Sequence, residues 1–212
     1  MSDHTVILVH GFNKSKSDMR FMEETLQTAG FTTYSADLPT TFGSMDECVA
    51  SLRLQTKVLI EQAENISYIA HSMGGLITRK YIDKFKPPNI VACVFIATPH
   101  FGSQLARVAD YVPGYSAIFK PIKSLLPGKN YIEFPETRSF RVGVIAGNSN
   151  EGLLGKLMLS AESDGRVEVS STVADDVNDF ITVPYGHKRI HHHPHTGALV
   201  IRFLKEGEFL ET

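Results

Sequence analysis

The sequence predicts an α/β fold: a doubly wound, mostly parallel sheet of about six strands flanked by helices. Two observations lead to this prediction. Continuous apolar runs rich in β-branched residues, such as residues 5–9 and 90–97, are typical of parallel strands buried on both faces. Segments with apolar residues at helical spacing alternate with these runs along most of the chain. Because parallel neighbours are joined by right-handed crossovers that are usually helices, the alternation indicates a parallel sheet.

The first part of the chain supplies two strands and two helices in alternation. A strand at residues 5–9 is followed by a helix over 17–29, and a second strand covers 31–38. Ser44 and Glu47 then have the S-x-x-E spacing of a capping box, in which each residue satisfies a backbone N–H of the other. We therefore expect the second helix to begin there.

The middle and end of the chain continue the same order. Residues 66–71 form a third strand, a helix runs from Met73 to the break at Pro87 and Pro88, and a fourth strand covers 90–97. Three further strands and a closing helix are expected, at residues 141–146, 167–170, 180–184 and 194–206. The strand at 167–170 is predicted from alternating apolar and polar residues, which indicate a short, half-exposed strand.

Residues 104–138 break the pattern. Prolines and glycines interrupt this stretch and it has no steady period, yet it carries many aliphatic and aromatic residues. We interpret it as a cap or lid inserted over the functional site of a single domain that spans residues 1–212. Phe119 and Leu125 are then candidate contacts for an apolar substrate, with extra core as the alternative.

Composition excludes several classes of partner. The 212 residues contain 21 Lys plus Arg and 23 Asp plus Glu, a formal charge of -2, which favours neither nucleic acid nor an anionic membrane. Only Cys48 and Cys93 are present, so a disulfide framework or a zinc–cysteine cluster is not expected. With no basic leader and no apolar run of bilayer-spanning length, a cytoplasmic protein without membrane insertion is the expectation. The oligomeric state stays open.

One stretch, Ile69-Ala70-His71-Ser72-Met73-Gly74-Gly75, joins a predicted strand directly to a predicted helix. Its spacing matches the G-x-S-x-G elbow of serine hydrolases, with Ala70 in place of the first glycine. A nucleophilic serine on such a turn needs small residues two positions before and after it, and Ala70 and Gly74 meet this need. Ser72 is therefore the candidate nucleophile.

Functional groups gather at the carboxyl ends of the strands in doubly wound sheets. Five segments with polar or small residues follow predicted strand ends in this chain. They are His10-Gly11-Phe12, Ser72, Pro99-His100, Asn148 and His187. We expect all five to meet at one edge of the sheet.

With these motifs the chain resembles compact α/β-hydrolases of the lipase and esterase type. The motifs that carry the resemblance are Val9-His10-Gly11-Phe12, Ala70-His71-Ser72-Met73-Gly74-Gly75, Thr98-Pro99-His100-Phe101-Gly102-Ser103, Asp164-Gly165-Arg166-Val167 and Gly186-His187. The resemblance implies that the backbone N–H groups of Phe12 and Met73 form the oxyanion hole. The chain departs from the usual pattern by starting at the first central strand, so we expect the two antiparallel strands that often precede this strand to be missing.

The family order of triad residues is Ser, then Asp or Glu, then His, and Asp164 and His187 follow Ser72 in that order. Three later carboxylates, Asp175, Asp176 and Asp179, are alternatives to Asp164. His187 is the candidate base because it lies just after the last predicted strand, as in similar lipases, and His191 is the second candidate.

Other histidines have structural interpretations. His10, His71 and His100 flank the candidate catalytic segments and are expected to hydrogen-bond the loops there. The run His191, His192, His193 and His195 has no Cys, Asp or Glu within it, so we expect a solvated loop and no metal site.

The sequence therefore predicts a hydrolase that cleaves carboxylic, lipid-like esters through an acyl-enzyme, without a metal or an organic cofactor. Its substrate is expected to be a small-molecule ester or lipid of undetermined acyl length. A thioesterase or amidase with the same triad is one alternative, and a non-catalytic scaffold that binds a lipid or a protein is another. Retention of all three triad residue types argues against the scaffold.

Overall fold

The computed structural model describes residues 4–111, 114, 118–128, 131–150, 159 and 162–210. Six strands form one sheet in the order β2-β1-β3-β4-β5-β6, and every neighbouring pair is parallel. The strands are β1 (His4–Val9), β2 (Thr32–Ala36), β3 (Asn65–His71), β4 (Ile90–Ile96), β5 (Arg141–Gly147) and β6 (Asp179–Val183). The predicted α/β fold with about six strands is confirmed.

Helices cover both faces of this sheet. They are α1 (Arg20–Thr28), α2 (Met45–Gln62), α3 (Met73–Phe85), α4 (Gln104–Asp110), α5 (Val169–Thr172) and α6 (Pro194–Glu206). Short 3₁₀ turns occur at Lys16–Met19, Lys120–Leu125 and Ile190–His192. None of the helices described is both long and apolar enough to cross a bilayer.

Alternation along the strands divides the core into two layers. In β1, Ile7 and Val9 belong to the layer beneath α2 and α3, whereas Val6 and Leu8 belong to the layer beneath α1 and α6. Cys48 and Cys93 are unpaired and buried, as expected for small apolar side chains, and burial raises the pKa of the Cys48 thiol to about 11.

The capping box at the start of α2 is also confirmed. Ser44 Oγ accepts a hydrogen bond from the N–H of Glu47 at 3.3 Å, and Glu47 Oε2 accepts one from the N–H of Ser44 at 2.6 Å. Caps of this kind stabilise a helix by about 1 kcal/mol, because they satisfy N–H groups that have no partner within the helix.

The prediction of a strand at residues 167–170 is wrong. An isolated antiparallel bridge joins Ser163 to Glu168, and α5 follows at once. The cause is the turn at Asp164, whose Oδ1 accepts the N–H groups of Arg166 at 2.9 Å and Val167 at 2.8 Å. These N–H groups are therefore not available to a sheet ladder.

The insert at residues 104–138 is more regular than the sequence suggests. It begins with α4 and includes the 3₁₀ turn Lys120–Leu125. Its apolar residues Val112 and Tyr115 lie outside the described residues.

The end of β1 and the start of α3 approach each other at Gly74. A Cβ atom at this position would overlap the Val9 carbonyl oxygen and lie 2.7 Å from the His10 carbonyl oxygen. Both atoms belong to the backbone of a central strand and the turn after it, so neither can move aside cheaply. Glycine is therefore required for the elbow to sit against β1.

We predict that Gly74→Ala lowers the free energy of unfolding by roughly 1–3 kcal/mol, because the new methyl group overlaps fixed backbone. Gly197→Ala in α6 is the matched control. Its Cβ would lie 2.9 Å from a methyl group of Thr25, a side chain that can rotate, and alanine is the better helix former. Urea unfolding of both variants measures the difference, and equal stability would contradict the prediction.

Candidate active site

Ser72 lies at the turn between β3 and α3 in a backbone conformation that non-glycine residues rarely adopt. Its φ and ψ are 55° and -128°, and its N–H donates to the Ile96 carbonyl at 2.9 Å. Such conformations cost on the order of 1–3 kcal/mol and persist only where the surrounding structure holds them. Here the strands on both sides and the contact at Gly74 hold the turn.

His187 connects Ser72 to a carboxylate. Its Nε2 lies 3.0 Å from Ser72 Oγ, and its Nδ1 lies 2.6 Å from Asp164 Oδ2. An ionised carboxylate only accepts hydrogen bonds, so Nδ1 carries the proton and Nε2 offers its lone pair to the Ser72 hydroxyl. The structure thus brings together the three residues predicted as nucleophile, base and acid.

Asp164 is held in place from several sides. Its side chain accepts the two backbone N–H groups of the turn described above, its carbonyl accepts the N–H of His187 at 2.9 Å, and it is 4% exposed. Of the alternative carboxylates, Asp175 is exposed, Asp176 pairs with Arg79, and Asp179 accepts the N–H groups of Phe180 and Phe209. Among these four carboxylates, Asp164 is the one that reaches His187.

The segments that carry the two predicted oxyanion donors both adjoin Ser72. Met73 is the first residue of α3, so its N–H has no carbonyl within the helix to bind. Phe12 follows Gly11, at which a Cβ atom would lie 3.0 Å from Ser72 Cβ. The end of β1 therefore brings Gly11, the residue before Phe12, beside the Ser72 side chain.

His10 fixes the loop that carries Phe12. Its Nδ1 donates to the Gly11 carbonyl at 3.1 Å, and its Nε2 accepts the N–H of Leu38 at 3.0 Å. Burial lowers its pKa, which favours the neutral ring that these two bonds require. The expectation that His10 hydrogen-bonds this loop is confirmed.

His71 and His100 are also buried and bonded to neighbouring loops. His71 Nε2 donates to the His187 carbonyl at 3.1 Å, and His100 Nδ1 accepts the Arg79 Nε–H at 3.2 Å. Burial lowers the pKa of both rings well below the usual value, and the neighbouring Arg79 guanidinium lowers the pKa of His100 further. His71 thereby supports the backbone of the residue that contacts Ser72.

His191, the second candidate for the base, contacts a different residue. Its Nε2 lies 3.0 Å from Asp18 Oδ2, and burial lowers the pKa of the ring to about 4. Burial alone would raise the Asp18 pKa, but hydrogen bonds from His191 and Lys14 bring it well below its usual range. Asp18 was not identified from sequence, because nothing near residue 18 marks it as a partner for a histidine 173 residues away.

The two residues proposed from the insert have different surroundings. The Phe119 ring lies 6.1 Å from the Phe12 ring and 5.8 Å from the Phe42 ring, centroid to centroid, and Phe42 is 60% exposed. Leu125 is 8% exposed and belongs to the core layer that includes Ala106 and Ile122. The structure therefore places Phe119 beside the candidate oxyanion loop and Leu125 in the core, where neighbouring apolar side chains cover it.

Sequence analysis also missed a buried ion pair beneath the insert. Arg79 in α3 forms two hydrogen bonds with Asp176, at 2.5 Å and 2.9 Å, and Asp176 also accepts the Phe134 N–H at 2.7 Å. The guanidinium lies over the Phe95 ring, 4.8 Å from its centroid. A charged residue within the buried face of a predicted helix is the one sequence signal that could have indicated this pair.

The parallel sheet and the serine elbow define the class of this protein, which is an α/β-hydrolase. Residues 1–125, more than half of the chain, match the family described as "Putative serine esterase (DUF676)". The chain belongs to this family.

Individual relatives agree with this assignment. The chain is 37% identical over 95 residues to triacylglycerol lipase 2 of Saccharomyces cerevisiae. The matched region covers 41% of this chain but only 28% of the yeast protein. In structure it is similar to the mature lipase BlEst2 of Bacillus licheniformis, with a TM-score of 0.78 at 19% identity over 95% of this chain and 90% of that one. A metagenomic carboxyl esterase gives a TM-score of 0.68 at 14% identity over 88% and 65% of the two chains. The two structural similarities establish the fold.

Asp176→Asn should lower the free energy of unfolding by about 3 kcal/mol or more, because it leaves the buried Arg79 charge without its carboxylate. Asp175→Asn changes the exposed neighbour and should stay within about 0.5 kcal/mol of the parent. Thermal and urea unfolding of the two variants provide the comparison. If both variants lost the same stability, the ion pair would not be important for the fold.

Proposed function

We propose that this protein hydrolyses carboxylic esters through an acyl-enzyme formed on Ser72, with His187 as the base and Asp164 as the acid of the triad. The observation that carries the proposal is the chain of two hydrogen bonds, 3.0 Å from Ser72 Oγ to His187 Nε2 and 2.6 Å from His187 Nδ1 to Asp164 Oδ2. A serine hydroxyl is a weak nucleophile at neutral pH, and a neutral imidazole in hydrogen-bond contact activates it.

In the first half of the reaction, Ser72 Oγ bonds to the ester carbonyl carbon while its proton moves to His187 Nε2. The carbonyl π electrons move to oxygen and form a tetrahedral oxyanion. Asp164 stabilises the resulting imidazolium through the Nδ1 hydrogen bond. When the oxyanion collapses, the C–O bond to the alcohol breaks, and His187 returns its proton to the departing alkoxide.

In the second half, His187 removes a proton from water as the water oxygen attacks the acyl carbon. Collapse of this second intermediate releases the carboxylic acid and returns the proton to Ser72. The N–H groups of Phe12 and Met73 are the proposed donors to both oxyanions. Fixed backbone donors of this kind need no reorganisation as charge develops, and each contributes about 100-fold to 1000-fold in kcat.

An apolar acyl group is the proposed substrate feature. Phe12, Phe42 and Phe119 form a cluster of aromatic rings beside the proposed oxyanion hole, and the side chain of Phe42 is largely exposed. An acyl chain that leaves the carbonyl carbon at Ser72 could pack on these rings and remove them from water. This favours lipid-like esters over short acetates, in keeping with the lipase names of the relatives.

A fluorophosphonate probe should label Ser72 and no other serine, since Ser72 alone, among the serines that the structure describes, combines a base with the proposed oxyanion donors. Ser72→Ala should abolish labelling, and Ser72→Ala and His187→Gln should each lower kcat for nitrophenyl esters by roughly 1000-fold or more. His195→Gln, which removes an exposed imidazole in the first turn of α6, is the matched control and should change kcat by no more than a few-fold.

Peptide mapping of the labelled protein identifies the modified serine. Labelling at another serine, or full activity in Ser72→Ala, would refute the proposal. A larger loss for His191→Gln than for His187→Gln would move the base to His191.

Phe119→Ala should lower activity on long-chain nitrophenyl esters more than on the acetate, because the removed ring lies beside the proposed acyl path. Leu125→Ala, a change in the core part of the same insert, should lower thermal stability and reduce activity equally for all chain lengths. A chain-length series with both variants measures the two ratios. An unchanged ratio in Phe119→Ala would assign this ring to packing.

A further inference from the structure

Three potential metal ligands lie close together where the 3₁₀ turn before α1 meets the 3₁₀ turn before α6. Asp18 lies on the 3₁₀ turn Lys16–Met19, and His191 and His192 lie on the 3₁₀ turn Ile190–His192. His191 Nε2 is 3.0 Å from Asp18 Oδ2 and 2.7 Å from His192 Nε2. One ligand atom from each residue lies within 4.8 Å of the other two.

The contacts among these three groups leave lone pairs facing one another. If His191 Nε2 carries a proton, that single proton must serve both the Asp18 carboxylate and the lone pair of His192. If His192 Nε2 carries the proton instead, the lone pair of His191 faces the carboxylate at 3.0 Å. A metal cation can accept a lone pair from each of the three atoms, whereas a single proton cannot satisfy all three.

We propose that Asp18, His191 and His192 bind a divalent first-row transition-metal ion, Zn²⁺ being the ion used to test it. Two imidazoles and one carboxylate are a ligand set that zinc accepts, with bonds of about 2.0–2.2 Å. Tetrahedral geometry at such bond lengths sets neighbouring ligand atoms about 3.3 Å apart. The contacts of 2.7 Å and 3.0 Å need only small side-chain shifts to reach this spacing.

The surroundings also fit an ion that enters from solvent. The His192 side chain is 43% exposed, and an open cleft lined by Lys14, Thr41 and His192 adjoins the ligands. Lys14 Nζ contacts the other carboxylate oxygen, Asp18 Oδ1, at 2.7 Å. Ligating carboxylates are usually hydrogen-bonded to such a neighbouring group, and His192 Nε2 lies 3.8 Å from the same oxygen. The fourth coordination position would face the cleft and take a water molecule.

The proposed ion would link the segment that follows His187 to the 3₁₀ turn Lys16–Met19 near the start of the chain. His71 connects the two sites, because its ring stacks on His191 at 3.7 Å between centroids and its Nε2 donates to the His187 carbonyl. Bound metal would thus stabilise the segment that carries His187 without touching Ser72. The histidine run had no carboxylate of its own in the sequence, and the fold supplies Asp18.

The test is zinc binding to untagged full-length protein that has been dialysed against a chelator. Titration calorimetry should show saturable binding of one equivalent, and Co²⁺ should give the visible absorption of a tetrahedral nitrogen and oxygen site. At a free zinc concentration about 100-fold above Kd, Tm should rise by roughly 5 °C or more.

The exposed ligand provides the cleanest variant, since His192→Gln is expected to fold without the metal. It should lose the calorimetric signal and the Tm rise, Asp18→Asn should do the same, and His195→Gln should retain both. Absence of saturable binding in the parent would overturn the proposal. So would equal binding by His192→Gln and the parent, because the ion would then be held elsewhere.

Discussion

The structure depends on how closely the start of α3 approaches the end of β1. Gly74 allows that approach, because any side chain there would meet the backbone of Val9 and His10. The approach forces the chain to reverse within one residue, and Ser72 takes up the reversal with a positive φ. Its side chain consequently stands at the carboxyl edge of the sheet, next to the turn that begins at His10. One steric constraint thus sets both the strained backbone of the proposed nucleophile and its closeness to the segment that carries Phe12.

Sequence could predict the elements whose signals are local. The apolar runs, the Ser44 and Glu47 capping box and the serine elbow each depend on residues a few positions apart, and all three match the structure. The strand expected at residues 167–170 failed for an equally local reason, since the Asp164 side chain takes the N–H groups that a strand would share. Alternation alone does not reveal this competition between side chain and backbone.

Long-range polar pairs could not be predicted in the same way. Arg79 meets Asp176 across 97 residues, and Asp18 meets His191 across 173, so neither partner carries a sequence mark of the other. His187 and Asp164 were identified because a resemblance to known hydrolases supplied their order. Leu125 is a similar case, because its apolar character was visible in the sequence but its burial depends on how its turn packs against α2 and α4.

Asp176 and Asp164 are both buried, but their hydrogen-bond partners suit them to different roles, one structural and one chemical. Asp176 faces Arg79, a permanent cation, and accepts further hydrogen bonds from Phe134 and Tyr131, which keep its pKa low against the opposing effect of burial. All of its partners keep their protons, so this carboxylate can only hold the insert in place. Asp164 is bonded on one oxygen by backbone N–H groups that never titrate, and its other oxygen faces an imidazole. An imidazole can accept and release a proton, so Asp164 faces a partner whose charge changes in the proposed reaction. The two carboxylates therefore differ in the residue that they pair with. Pairing with His187 makes Asp164 suited to the proposed catalytic role.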